Sequence, residues 1–186
     1  MDKKATYAIF GGSFDPPHLG HREIIERALE VVDKIIVVPT YLNPFKKSFN
    51  ISANIRYQWV KKIFSSNRVV VSDYEIKQNR AVYTYETLKE LSKRYNIKAI
   101  IIGADNLKNI DKWYNFDYLN SNYCWIVATR ANRELKLDIL RDYRIIKVEK
   151  NVSSTEIRDG KKLEFIDKNI KKQVILEYNL DKKGDK

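Results

Sequence analysis

The sequence predicts an α/β fold, a doubly wound and mostly parallel sheet flanked by helices in a single domain. Three observations carry this prediction. Short β-branched runs alternate with helix-patterned stretches along most of the chain. The runs are apolar on both faces, as strands covered by helices on two sides must be. The 186 residues, 44% apolar and 12% aromatic, are enough for one substantial core.

Each element follows in order. Residues 6–10 (TYAIF) and 34–39 (KIIVVP) read as the first two strands, and between them Ile24, Ile25, Ala28, Leu29 and Val32 fall at helical spacing, making a βαβ unit. A helical pattern over 55–64 precedes the strand run 69–72 (VVVS). A second over 84–95 precedes 99–102 (AIII). Further strand runs are 124–128 (CWIVA) and 143–148 (YRIIKV), and residues 167–178 read as a closing helix. With no internal repeat and no long linker, residues 1–180 form one domain of Rossmann-like type, followed by a polar tail at 181–186 (DKKGDK).

Composition narrows the partners. Thirty-five Lys and Arg against 24 Asp and Glu leave a net charge of +11, which points to a phosphate-rich partner without choosing between nucleotide and nucleic acid. Lysine pairs such as 161–162 and 171–172 read better as solvated surface than as a binding site. A nucleic-acid-binding role would call for a basic stripe with stacking aromatics or a known module motif, and the sequence has neither. The single cysteine, Cys124, cannot close an intrachain disulfide and suits a reducing compartment, with the cytoplasm as the expectation. Too few apolar residues precede Gly11 for a signal-peptide core, and no later run approaches a membrane span.

The densest chemical signal is residues 11–21, GGSFDPPHLGH, lying between the first strand and the first helix. In an open α/β sheet ligands bind beyond the carboxyl ends of strands, where a helix N-terminus offers backbone N–H groups to phosphates. Glycines allow a ligand to approach the backbone closely. Both histidines of the chain, His18 and His21, fall here three residues apart, on one face of an opening helical turn. They suit phosphate chemistry, a helix cap with a packed ring, or a shared ion; no HExxH-like partner supports the ion. The segment is neither GxxxxGK[ST] nor GxGxxG, so kinase and dehydrogenase readings lose their main support.

GGSFDPPHLGH resembles the HxGH signature of the nucleotidyltransferase superfamily, in the form used by bacterial nicotinate-nucleotide adenylyltransferases. Residues 152–158 (VSSTEIR) resemble that superfamily's ISSTxIR element; read alone, Ser153 and Glu156 form a capping box, and the two readings are compatible. Residues 82–88 (VYTYETL), 102–107 (IGADNL) and the pair Trp113-Tyr114 resemble the family's YTxxTL, IGxDxL and WY elements, in the family's order. The likeness spans roughly residues 6–160. One departure stands out: where many members carry a Pro-His-basic triplet, this chain has Pro44-Phe45-Lys46.

The resemblance implies an adenylyl transfer from ATP to nicotinate mononucleotide, with nicotinamide mononucleotide or phosphopantetheine as the alternative acceptors. It implies that His18 and His21 meet the ATP phosphates and the transition state together with Arg158. Gly11, Gly12, Ser13, Phe14, Gly103, Asp105, Ser153, Ser154 and Thr155 complete the ATP site. For the acceptor it implies Lys46, Tyr83, Thr84, Tyr85, Trp113 and Tyr114, with Trp113 stacked on the pyridine ring and backbone amides near Tyr85 and Tyr114 on the carboxylate. Without that context Trp113 reads as core packing, Thr84 as a helix cap, and Gly103 and Asp105 as turn residues. Mg²⁺ is expected to arrive on ATP, no metal ligand is assigned, and a homo-oligomer is compatible with the sequence.

Overall fold

The structure is a computed structural model describing residues 4–44, 48–130 and 135–183. Six strands form one sheet: β1 (Tyr7–Gly12), β2 (Lys34–Pro39), β3 (Val69–Val71), β4 (Ile97–Gly103), β5 (Cys124–Arg130) and β6 (Tyr143–Val148). Every adjacent pair is parallel, and the spatial order is β3-β2-β1-β4-β5-β6. The order reverses between β1 and β4, the position where a doubly wound sheet opens a crevice. Pairing of these two strands ends at Phe10↔Ile101. Beyond it Gly11 and Gly12 pair only towards β2, and Ile102 and Gly103 only towards β5, so the sheet forks.

Side chains alternate across the sheet with period two. Ala8, Phe10, Ile35, Val37, Ala99, Ile101, Ile126 and Ala128 face one core, under α1 (Leu19–Ala28) and α2 (Ala53–Phe64). Ile9, Ile36, Val38, Ile100, Ile102, Trp125 and Val127 face the other, with Leu88 and Leu91 of α4 (Thr84–Leu91). Two short helices, α3 (Tyr74–Gln78) and α5 (Phe116–Asn122), and a 3-10 segment at Ala104–Lys112 complete the second side. The helical pattern of 84–95 stops at Leu91, where the chain tightens into turns.

The C-terminal third adds a third cluster. Val152, Ile157 of α6 (Ser154–Arg158), Ile166, Ile170 and Val174 of α7 (Lys171–Glu177) pack with Ile51 and Trp59. Arg22 of α1 donates to the buried carboxylate of Asp167 at 2.6 Å and ties this cluster to the sheet. The closing helix is shorter than the pattern 167–178 predicts, because residues 167–170 form a turn that starts it. Among the described residues no helix is long and apolar enough to cross a membrane.

Candidate active site

The fork in the sheet opens into a cleft of about 580 Å³. Its floor is the carboxyl ends of β1 and β4. One wall is the loop 12–18 with the start of α1, and the opposite wall runs through Val82, Tyr83, Thr84, Trp113 and Tyr114.

The loop is built to keep backbone exposed to the cleft. A Cβ at Gly11 would meet nothing within 4 Å, so this glycine leaves space for a ligand and not for a neighbour. At Gly12 a Cβ would stand 3.1 Å from the Phe14 ring, which is buried with a positive φ of 48°. That backbone conformation is uncommon for a side-chain-bearing residue and is held here by packing on Phe10, Phe64 and His21.

His18 is the N-cap of α1 and His21 stands in its first turn. Their rings stack with centroids 3.7 Å apart, and Phe14 meets the His21 ring edge-on at 4.9 Å. His21 Nδ1 accepts from the His18 backbone N–H at 3.2 Å, which assigns the ring proton to Nε2. His18 Nδ1 is buried with no hydrogen-bond partner among the described residues. Gly20 lets this ring lie flat on the helix start, because a Cβ there would be 3.0 Å from both His18 Nδ1 and Val152 Cγ1. Burial and then the positive charge of Arg130 push His21 down to about 3. Burial, His21 and Arg130 likewise hold His18 well below the usual imidazole value. Both rings are therefore neutral at pH 7, acting as N–H donors and not as cations.

The segment 149–154 closes the cleft. Buried Glu23 accepts from the amides of Glu149 and Lys150 at 2.9 and 2.8 Å. Arg130, the last residue of β5, donates to Asn151 Oδ1 and the Val152 carbonyl. Ser153 and Glu156 make the reciprocal capping box, with the Ser153 amide on Glu156 Oε2 at 2.8 Å and the Glu156 amide on Ser153 Oγ at 3.2 Å. Ser154 Oγ donates to the Pro16 carbonyl, and Arg158 donates to the Asp15 carbonyl and to Thr155 Oγ1.

A second set of bonds fixes the loop from behind. Arg56, 1% exposed, donates to the carbonyls of Ser13, Thr40, Tyr41 and Ile51. Buried Asp15 accepts from Tyr178 Oη and from both nitrogens of Asn50. Burial works to raise the Asp15 carboxyl, but these bonds and the charge of Arg158 hold it below the usual carboxylate value. The Asp15–Pro16 peptide is cis.

The comparisons with known proteins agree with this fold. A family model described as Cytidylyltransferase-like matches residues 9–160. Two proteins each recorded as "probable nicotinate-nucleotide adenylyltransferase" align over nearly their whole length. That of Sulfurovum sp. is 42% identical over 92% of this chain and 93% of its own. That of Aliarcobacter butzleri is 43% identical over 94% and 96%. The chain belongs to the nicotinate-nucleotide adenylyltransferase family. Its fold is also that of the Plasmodium falciparum nicotinic acid mononucleotide adenylyltransferase solved in complex with NaAD, with a TM-score of 0.70, 23% identity, and coverage of 95% of this chain and 98% of that one.

In this adenylyltransferase, Gly11, Gly12, Ser13, Phe14, His18, His21, Gly103, Asp105, Ser153 and Ser154 all line the cleft, as do Tyr83, Thr84, Trp113 and Tyr114. Thr155, Arg158 and Tyr85 lie off its wall. Arg158 borders a smaller cavity of about 200 Å³ behind the loop, and Tyr85 packs edge-on against Tyr114 and Tyr118. Lys46 and Phe45 are outside the described residues. The adenylyltransferase also brings to the cleft residues that the motifs do not mark, Arg130, Lys150 and Glu75, together with Thr87 of the YTxxTL-like element. Arg130 was findable as the polar residue ending a strand run, since ligands gather at strand carboxyl ends. Glu75 carries no local signal.

Proposed function

We propose that this enzyme joins the AMP of ATP to nicotinate mononucleotide, giving nicotinate adenine dinucleotide and pyrophosphate. The observation that carries the reading is the forked cleft itself. It sets a neutral histidine pair at a helix N-terminus opposite a wall built from Tyr83, Thr84, Trp113 and Tyr114. That pairing suits a phosphate-bearing donor on one side and a flat aromatic acceptor on the other.

A phosphate oxygen of the mononucleotide attacks the α-phosphorus of ATP; the bond to the α–β bridging oxygen breaks, and pyrophosphate leaves with that electron pair. With a second pKa near ~6 the monoester is mostly dianionic at neutral pH, so no strong base is needed. The enzyme's work is alignment and charge stabilisation. His21 Nε2–H and the His18 ring donate to phosphoryl oxygens as charge builds there. Arg130 and Lys150 face the same space and lower the cost of gathering two polyanions. Ser154 and Arg158 act on the nucleotide through the loop whose carbonyls they hold, and Ser153 through the cap of α6. Gly11 and Gly12 offer backbone to the ATP phosphates. Thr84 and Tyr85 begin α4, where the first amides have no intrahelical partner and can donate to the acceptor's carboxylate, with Trp113 against the ring.

Mg²⁺ fits this donor set as an ion carried on ATP oxygens, since the cleft is lined by N–H donors and cations, with the carboxyl groups of Asp105 and Glu75 too few for a cage. When bound it neutralises charge on the phosphates. A single cysteine, which cannot close an intrachain disulfide, suits a cytoplasmic setting.

The test is pyrophosphate release from ATP and Mg²⁺ with nicotinate mononucleotide, nicotinamide mononucleotide and phosphopantetheine offered separately. Release mainly with the first is expected. Preference for another acceptor overturns the substrate, and silence with all three overturns the reaction.

A further inference from the structure

The cleft wall contains a carboxyl group for which the reaction above has no use. Glu75 of α3 is 4% exposed, and its side chain lines the cleft beside Val82, Tyr83, Thr84 and Trp113. Its Oε1 accepts from Thr87 Oγ1 at 2.6 Å, while Oε2 is buried with no hydrogen-bond partner among the described residues. A buried carboxyl oxygen without a partner costs about 1–3 kcal/mol and calls for an explanation.

The surroundings decide which form of the acid is present. From α4 it meets the Thr87 hydroxyl and the charge of Glu86; Glu86 is itself paired with Arg80 at 2.6 Å. On its own helix Tyr74 couples to it, and Lys77 is paired with Asp73. Of the elements packed on α3, α2 places the Arg56 guanidinium on four backbone carbonyls, and β2 presents apolar Ile36 and Val38. Burial pushes the carboxyl up to about 7; Glu86 adds to the rise and Thr87 opposes it.

We propose that Glu75, as the neutral acid, donates a hydrogen bond from Oε2 to the carboxylate on the acceptor ring and so sets the preference for an acid-bearing over an amide-bearing acceptor. This rests on the function proposed above. An ionised Glu75 would repel a ring carboxylate yet accept from a carboxamide NH₂, so one proton exchanges the favoured partner. The ring carboxylate remains ionised throughout, and the acceptor phosphate titrates alike in both mononucleotides. The ratio of their kcat/KM values therefore isolates Glu75.

The experiment measures that ratio, nicotinate over nicotinamide mononucleotide, by pyrophosphate release with the full chain from pH 6 to 8.5. A fall of at least about tenfold is expected, since around a midpoint of about 7 the acid form drops from ~90% to ~3%. Glu75→Gln keeps a donor that does not titrate and should flatten the ratio. Thr87→Val removes the bond that favours the ionised form and should move the midpoint upward, which guards against a Glu75 variant that fails to fold. A wild-type ratio independent of pH, or a pH dependence that persists unchanged in Glu75→Gln, overturns the role of Glu75 alone. Silence with both mononucleotides overturns the proposed function, and this inference with it.

Discussion

Arg56→Met asks whether one buried guanidinium holds the loop at residues 12–18 in place. Its planar fork joins Ser13 of the loop after β1, Thr40 and Tyr41 after β2, and Ile51 ahead of α2. Methionine matches much of the volume but donates nothing. Ser13, Thr40 and Tyr41 border the cavity of about 200 Å³, where water can replace part of what is lost, whereas the Ile51 carbonyl lies off it. One unsatisfied carbonyl at about 1–3 kcal/mol, with three charge-assisted bonds exchanged for water, gives a destabilisation of about 3 kcal/mol. For a chain of this size that lowers Tm by roughly 6–12 °C. Turnover should fall further than stability implies, by about a hundredfold, because Ser13 and Thr40 line the cleft and misplacement of order an ångström is enough. Arg56→Lys restores charge without the fork and should lie between the two. The assays are thermal unfolding by circular dichroism and pyrophosphate release below the variant's Tm. A Tm within about 2 °C of wild type together with full turnover would refute the reasoning.

On the proposed mechanism His21→Ala should lower turnover at least about tenfold while the fold persists, because there its N–H meets charge that builds only in the transition state; near-normal turnover would remove it from the mechanism. Gly11→Ala should leave Tm within about 2 °C of wild type, since the added methyl meets no neighbour, yet weaken ligand binding at least tenfold by occupying the ligand's space; calorimetric titration with ATP and with the acceptor shows which ligand is excluded. Acid should destabilise the fold before its ordinary carboxylates titrate. His18 and His21 have depressed folded values, so between about pH 6 and 5 the unfolded chain binds close to two more protons; Glu75, raised in the fold, returns about one. The difference of one proton predicts a loss of about 1.4 kcal/mol per pH unit through that window, and about twice that in Glu75→Gln, read from urea unfolding at pH 6 and 5. A slope of zero in wild type would show that the histidines are not buried neutral.

The six strands were legible because β-branched runs buried on both faces leave little choice of conformation, and the glycine and histidine spacing after the first run marked the loop that forms the site. The short helices α3 and α5 were not, since five to seven residues hold too few turns to display a period. The same limit hid Glu75, which meets Thr87 only after α3 and α4 have packed. Arg56 carries no signal in the sequence, because its four acceptors lie 5 to 43 residues away. Ser154 and Arg158 were legible as members of a motif, but their tertiary bonds to Pro16 and Asp15 were not, since residue type alone does not name a partner 138 to 143 residues away.

The bond from Tyr178 to Asp15 spans 163 residues. A ribosome adding about 5–20 residues per second reaches Tyr178 roughly 10–30 s after Asp15. By then β1 to β6 have all been made, so a nascent chain can hold a complete sheet while its signature loop still lacks the anchor from α6 and α7. The contacts of Ser154, Arg158 and Tyr178 that fix residues 12–18 from behind are therefore among the last tertiary bonds of the fold to become available, after every strand that the loop sits on.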